Sequence, residues 1–226
     1  MAKKAREVFG GSMNIDKMGL GKTRQVIDLV LTQDRHPNDA FNLVVTEKAV
    51  LTTWAREAAP SYTHGNQPRV MILDDSRTTF AELYEKHYDI VLVSFSAVMW
   101  QLKRLNDFKR YMHIWRHCGK EVADEVAREE GLPTERPIAP LFSTLLYLRP
   151  FRIVTKIIDE AHRIMKWDGR QRAAFQAMET LHVELVAGTP CGNVWTDNSK
   201  DLAYAYGRGI AAKWTYTRCG NGAVKC

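Results

Sequence analysis

Five short apolar runs constrain the fold of this chain more than any other feature: Leu43–Thr46, Val70–Leu73, Ile90–Ser94, Ile153–Ile158 and Glu184–Ala187. They are rich in β-branched residues and bounded by polar or turn-forming ones. Continuous apolarity, in place of alternation, marks strands buried on both faces, as in a parallel sheet. Between the runs lie stretches at helical spacing, Lys22–Leu31, Val50–Ala59 and Arg170–Leu181. This alternation predicts an α/β fold, a mostly parallel sheet flanked by helices, with ligands expected at the carboxyl ends of the strands. The rhythm is interrupted between about 97 and 150. There Leu102, Leu105, Phe108, Met112 and Trp115 predict an amphipathic helix over Gln101–Cys118, and Gly131, Pro133, Pro137 and Pro140 a loop after it, so the interval reads as a helical insertion.

With 226 residues, 45% of them apolar, the chain can bury a sizeable core. No run approaches the roughly 18–20 uninterrupted apolar residues of a membrane span, and the start, MAKKAREVFGG, lacks the apolar core of a secretory signal. No membrane partner is expected, and the protein is expected inside the cell. The four cysteines (Cys118, Cys191, Cys219, Cys226) form no C-x-x-C pair, which argues for reduced thiols over a disulfide framework or zinc knuckle. The net charge of +6 permits nucleic-acid binding without proving it. Its excess is local: Lys103, Arg104, Lys109, Arg110, Arg116 and Lys120 stand against Asp107 alone within 101–120, and the next ten residues turn acidic.

Two motifs carry chemistry. IVTKIIDEAH at 153–162 places Asp159 and Glu160 at the tip of a buried strand, where a nucleotide triphosphatase needs a magnesium anchor and a base to aim water. DKMGLGKT at 16–23 supplies the loop that such a site must sit beside. Glycine lets the backbone approach a triphosphate closely, so Gly19, Leu20 and Gly21 would line the phosphates. Lys22 would reach the β- and γ-phosphates, and the Thr23 hydroxyl would join Asp159 on Mg2+. Asp16 stands where the usual loop begins with glycine. A GKT or GKS triplet alone arises by chance in roughly one chain in ten of this size, so the pairing of the two motifs carries the weight. The competing explanation makes Asp159 and Glu160 a helix-start pair favoured by the dipole.

DKMGLGKT, NLVVTEKAVLTTW at 42–54, YDIVLVSFSAV at 88–98, IIDEAH at 157–162 and VAGTPCGN at 186–193 together resemble the ordered motifs of the Swi/Snf-type chromatin-remodelling ATPases of the DEAD/DEAH helicase-like superfamily. The resemblance spans about Gly10 to Leu202 and covers one of that family's two RecA-like lobes. It implies a RecA-like ATP-binding lobe over 1–205, a short tail over 206–226, ATP and Mg2+ as cofactors, and double-stranded DNA or nucleosomes as partners, in the nucleus. It further implies that Lys22, Asp159 and Glu160 are catalytic, that His162, Gly188 and Thr189 couple the site to the opposite lobe and to movement along DNA, and that Lys48, Thr52 and Ser94 face the DNA backbone. Lys17, Glu47, Ala49 and Ala187 depart from the family's usual residues, more at the DNA-facing segments than at the nucleotide-facing ones. The family's upstream glutamine motif and its second lobe, source of an arginine finger, are expected to be missing. The alternative to a DNA-dependent ATPase is therefore a truncated or divergent fragment acting as a nucleotide-dependent binding module without turnover. A P-loop kinase or GTPase is disfavoured, since no N/T-K-x-D motif is present.

Fainter signals remain. His113, His117 and Cys118 could share a metal on the insertion helix, yet no second pair of ligands accompanies them, and an ordinary helix face is favoured. Trp54, in the stretch after the first apolar run, reads as packing.

Overall fold

The computed structural model describes residues 11–14, 19–32, 40–58, 67–74, 77–143, 153–164, 170–178 and 180–187. Six strands, β1 (Gly11–Asn14), β2 (Asn42–Thr46), β3 (Val70–Ile72), β4 (Ile90–Ser94), β5 (Ile153–Asp159) and β6 (Thr180–Val186), make one sheet in the order β1-β6-β5-β2-β4-β3. Every neighbouring pair is parallel. The helices are α1 (Lys22–Leu31), α2 (Leu51–Ala58), α3 (Phe80–Glu85), α4 (Phe95–Cys118), α5 (Lys120–Glu130) and α6 (Arg170–Gln176).

The apolar runs behave as a parallel sheet requires. β2 and β4 are buried at every residue, and β5 at all but Asp159. One face packs Val26, Ile27 and Val30 of α1 and Leu51 and Trp54 of α2 against Val44, Leu92, Ile157 and Val186. The opposite face packs Phe95, Val98 and Leu105 of α4 and Phe175 of α6 against Leu43, Val45, Val93, Ile158 and Leu185. Each such side chain contributes about 1.5–3 kcal/mol by leaving water. Among the described residues no helix is long and apolar enough to cross a membrane.

Several elements differ from the sequence expectation, among them α3, absent from that expectation, and β6, which begins at Thr180 and not at Glu184. β1 carries no β-branched residue and gives no strand signal, yet it pairs with β6 from Gly11↔Val183 to Asn14↔Val186. The Ser12 hydroxyl donates to the buried Glu184 carboxylate, a tertiary contact that outweighs propensity. α6 ends at Gln176, five residues before the expected helix end at Leu181, because β6 begins at Thr180 to pair with Ile153. α4 starts at Phe95 and not at Gln101, since the Ser94 hydroxyl caps it by accepting the Ala97 N–H at 3.1 Å. Finally, the acidic stretch after Gly119 forms α5, which folds back on α4 around Tyr111, Ala123 and Ala127, so the insertion is a helical hairpin. Tyr111 takes the buried position, donating to Asp124 at 2.8 Å, and Trp115 lies 40% exposed. A left-handed Gly131 (φ 68°) ends α5 before the expected loop.

Lys156 is an ionisable group in the middle of β5, and it is 3% exposed. Its Nζ donates to the carbonyl oxygens of Phe175 (2.6 Å) and Met178 (2.9 Å), tying the strand to the end of α6. Burial pushes its pKa down from 10.5 to about 7. The unfolded lysine stays protonated to about pH 10.4, so between about 7 and 10 the unfolded chain binds more protons than the folded one, and stability rises with pH across that window. The penalty is full below pH 7. The unfolding free energy of the wild type, followed through its denaturant midpoint, is therefore expected to climb between pH 7 and pH 10, by up to ~4 kcal/mol from this group. Lys156→Met should flatten that slope, and an equal slope in both proteins refutes the assignment.

Candidate functional site

In a parallel sheet all strands end at the same edge, and here that edge gathers Asn14, Val186, Asp159, Thr46 and Ser94. The chain returns from β1 through Gly19 (φ 84°), Leu20 and Gly21 (φ 71°) into α1. A Cβ at either glycine would meet nothing within 4 Å, so glycine is required for its left-handed backbone and not for space. Gly21 caps α1 with no side-chain bond to the first turn, and no acidic residue lies in that turn. The end of the helix is thus suited to an anion, with the half-buried Lys22 and Thr23 at its start and Leu20 59% exposed. Gln25 ties the loop down: it accepts from Asn14 Nδ2 at 2.9 Å and donates to the Leu20 carbonyl at 3.1 Å.

Two strands away, Asp159 ends β5. Its Oδ2 accepts hydrogen bonds from Thr46 Oγ1 at 2.9 Å and from Trp54 Nε1 at 3.0 Å, and its Oδ1 accepts the Glu160 N–H at 3.0 Å. Glu160 sits at φ 51°, a left-handed conformation rare for a side-chain-bearing residue, and it is half-buried. Such a conformation costs of order 1–3 kcal/mol and persists where the surroundings impose it. Asp159 and Glu160 are therefore a strand end and a sharp turn, not the first turn of a long helix; the segment that follows is a short 3₁₀ helix, Ala161–Ile164, which contains His162. Gly188 and Thr189 lie outside the described residues.

The segments expected to face DNA meet on Asp74. Lys48 lies in the 3₁₀ turn Lys48–Val50 ahead of α2, and its Nζ is 2.7 Å from Asp74 Oδ2. Ser94 Oγ donates to Asp74 Oδ1 at 3.2 Å while capping α4, and it is 1% exposed. Thr52 is exposed on α2. On the insertion, Lys103 pairs with Asp107 at 2.8 Å, Arg110 pairs with Glu130, and the Arg104 guanidinium lies 5.3 Å from the Trp100 ring centre. His113 and His117 approach to 4.4 Å between ring centres, and among the described residues no group of three or more His, Cys, Asp or Glu could hold a metal ion.

Five polar partners escape sequence reading: Asn14, Gln25, Thr46, Trp54 and Asp74. A buried indole needs an acceptor for its N–H, which is a signal that Trp54 is more than packing. The identity of that acceptor depends on β2 lying beside β5, which no local pattern reveals.

The family model of the SNF2-related domain matches residues 1–204. The chain belongs to that family. Among solved structures this SNF2-related chain is similar to the Sulfolobus solfataricus SWI2/SNF2 ATPase core in complex with dsDNA, with a TM-score of 0.59 and 18% identity over 90% of this chain and 33% of that one. It is similar also to the Sulfolobus solfataricus SWI2/SNF2 ATPase core domain, with a TM-score of 0.57 and 17% identity over 90% of this chain and 32% of that one. At these identities the likeness speaks for the fold. The SNF2-related chain spans about a third of the length of the two structures.

Proposed function

We propose that residues 1–205 form a RecA-like lobe that binds ATP with Mg2+ and, joined to a second lobe, hydrolyses it in a DNA-dependent manner to drive translocation on duplex DNA or remodelling of nucleosomes in the nucleus. The observation that carries this reading is the shared edge of the sheet. Parallel pairing of β1, β6 and β5 brings the glycine loop and the start of α1, which has no side-chain cap, to the same edge as Asp159 and Glu160. Hard oxygen donors, the Asp159 carboxylate and the Thr23 hydroxyl, suit magnesium, which when bound offsets charge on the β- and γ-phosphates. The N–H groups of α1 and the Lys22 ammonium hold the phosphates. Glu160 orients the attacking water and takes its proton. His162, Gly188 and Thr189 relay the state of the site to the second lobe, and the segments that hold Lys48, Thr52 and Ser94 face the DNA backbone.

A second reading, a nucleotide-dependent binding module without turnover, is favoured by one observation: Lys48 and Ser94 are both engaged with Asp74. Turnover of ATP by the chain joined to a second RecA-like lobe separates the two. At least a tenfold increase on adding duplex DNA is expected of a translocase, and an unchanged rate favours the module.

A further inference from the structure

The Asp159 carboxylate is gripped from outside its own strand. Thr46 and Trp54, which supply both donors to Oδ2, lie on one continuous stretch that leaves β2, passes the 3₁₀ turn and enters α2. Both are 1% exposed. Trp54 heads the fully buried side chains by volume and packs in the cluster that contains Ile157, two residues before Asp159. The core therefore fixes the plane of the indole, and with it the direction of its single N–H, which can donate and never accept. A hydrogen bond from such a donor, here at 3.0 Å, is directional and shielded from solvent. Oδ1 accepts one backbone N–H and keeps a lone pair for a further partner.

We propose that Trp54 is a positioning residue for the nucleotide site: its indole, with the Thr46 hydroxyl, occupies Oδ2 and turns Oδ1 to the position from which Asp159 serves the magnesium ion. This rests on the nucleotide-site reading above.

The test replaces Trp54 with 3-benzothienylalanine, which keeps the bicyclic shape and puts sulfur where the N–H was, beside a Trp54→Phe variant. In the 15N-labelled wild type, the indole N–H resonance missing from both variants belongs to Trp54. That resonance is expected to move in Asp159→Asn and on addition of magnesium with a non-hydrolysable ATP analogue. The benzothienyl variant should bind the analogue in EDTA as the wild type does, yet need roughly tenfold more magnesium to reach the magnesium-supported affinity. A role in packing alone changes both affinities together or neither, and either pattern overturns the proposal. So does an indole resonance indifferent to Asp159→Asn. If the wild type itself shows no magnesium-dependent binding of the analogue, the nucleotide-site reading fails first, and the failure is read there and not in the variants.

Discussion

Glu160→Gln is expected to leave magnesium-ATP binding within about twofold of the wild type while lowering turnover by about 10²–10⁴-fold, the usual contribution of a positioned general base. The geometry explains the split. Asp159 is locked by three hydrogen bonds, and Glu160 sits in a sharp turn of its own, with φ 51°. Gln has the same shape and reach and can occupy the same backbone, so the phosphate and metal contacts of the neighbouring residues survive. It cannot take a proton from water. Single-turnover hydrolysis in the chain joined to a second RecA-like lobe, set beside equilibrium binding of a fluorescent ATP analogue, measures both quantities. Equal hydrolysis rates in wild type and variant would sink the role given to Glu160.

Lys22→Ala carries the second large effect. Lys22 is the first residue of α1, directly after the left-handed Gly21, and it is the residue proposed to hold the phosphates. Removing a charge-assisted contact to a polyanion is expected to weaken binding about 100-fold or more, ~3 kcal/mol. Alanine is at least as good a helix former as lysine, so the melting temperature without nucleotide should hardly change. Calorimetric titration with magnesium-ATP reads the first quantity and thermal unfolding the second. Retained affinity would place the phosphates elsewhere. Affinity and stability lost together would mark Lys22 as a structural residue.

The parts of the fold legible in the sequence share one property: their signal is local. Ile90–Ser94 matches its strand residue for residue, and Lys22–Leu31 its helix, because continuous β-branched apolarity and a glycine loop followed by helical spacing act within one element. Where a signal depends on a partner, the reading strays. β1 exists because β6 pairs with it, and α6 stops short because β6 must begin. The start of α4 was legible in principle, since a serine three residues before the bonded amide is a common cap. α5 was hidden by its composition: a stretch dominated by charge has too few apolar residues to announce a helix, and it needs only Ala123 and Ala127 to seat against Tyr111.

At the candidate site the division is sharper. Gly19, Gly21, Lys22, Thr23, Asp159 and Glu160 are visible in the letters, since a phosphate loop and a strand-end carboxylate pair each depend on neighbours in the chain. Their arrival at one edge follows from the parallel sheet, but their separation along that edge does not: it depends on β6 lying between β1 and β5, which no local pattern shows. The same holds for Trp54. The amino-acid sequence alone establishes an apolar residue in a helix after a strand. That its N–H meets Asp159 follows only when β2 and β5 pair, because a hydrogen bond between residues 105 apart in the chain is decided by packing and not by pattern.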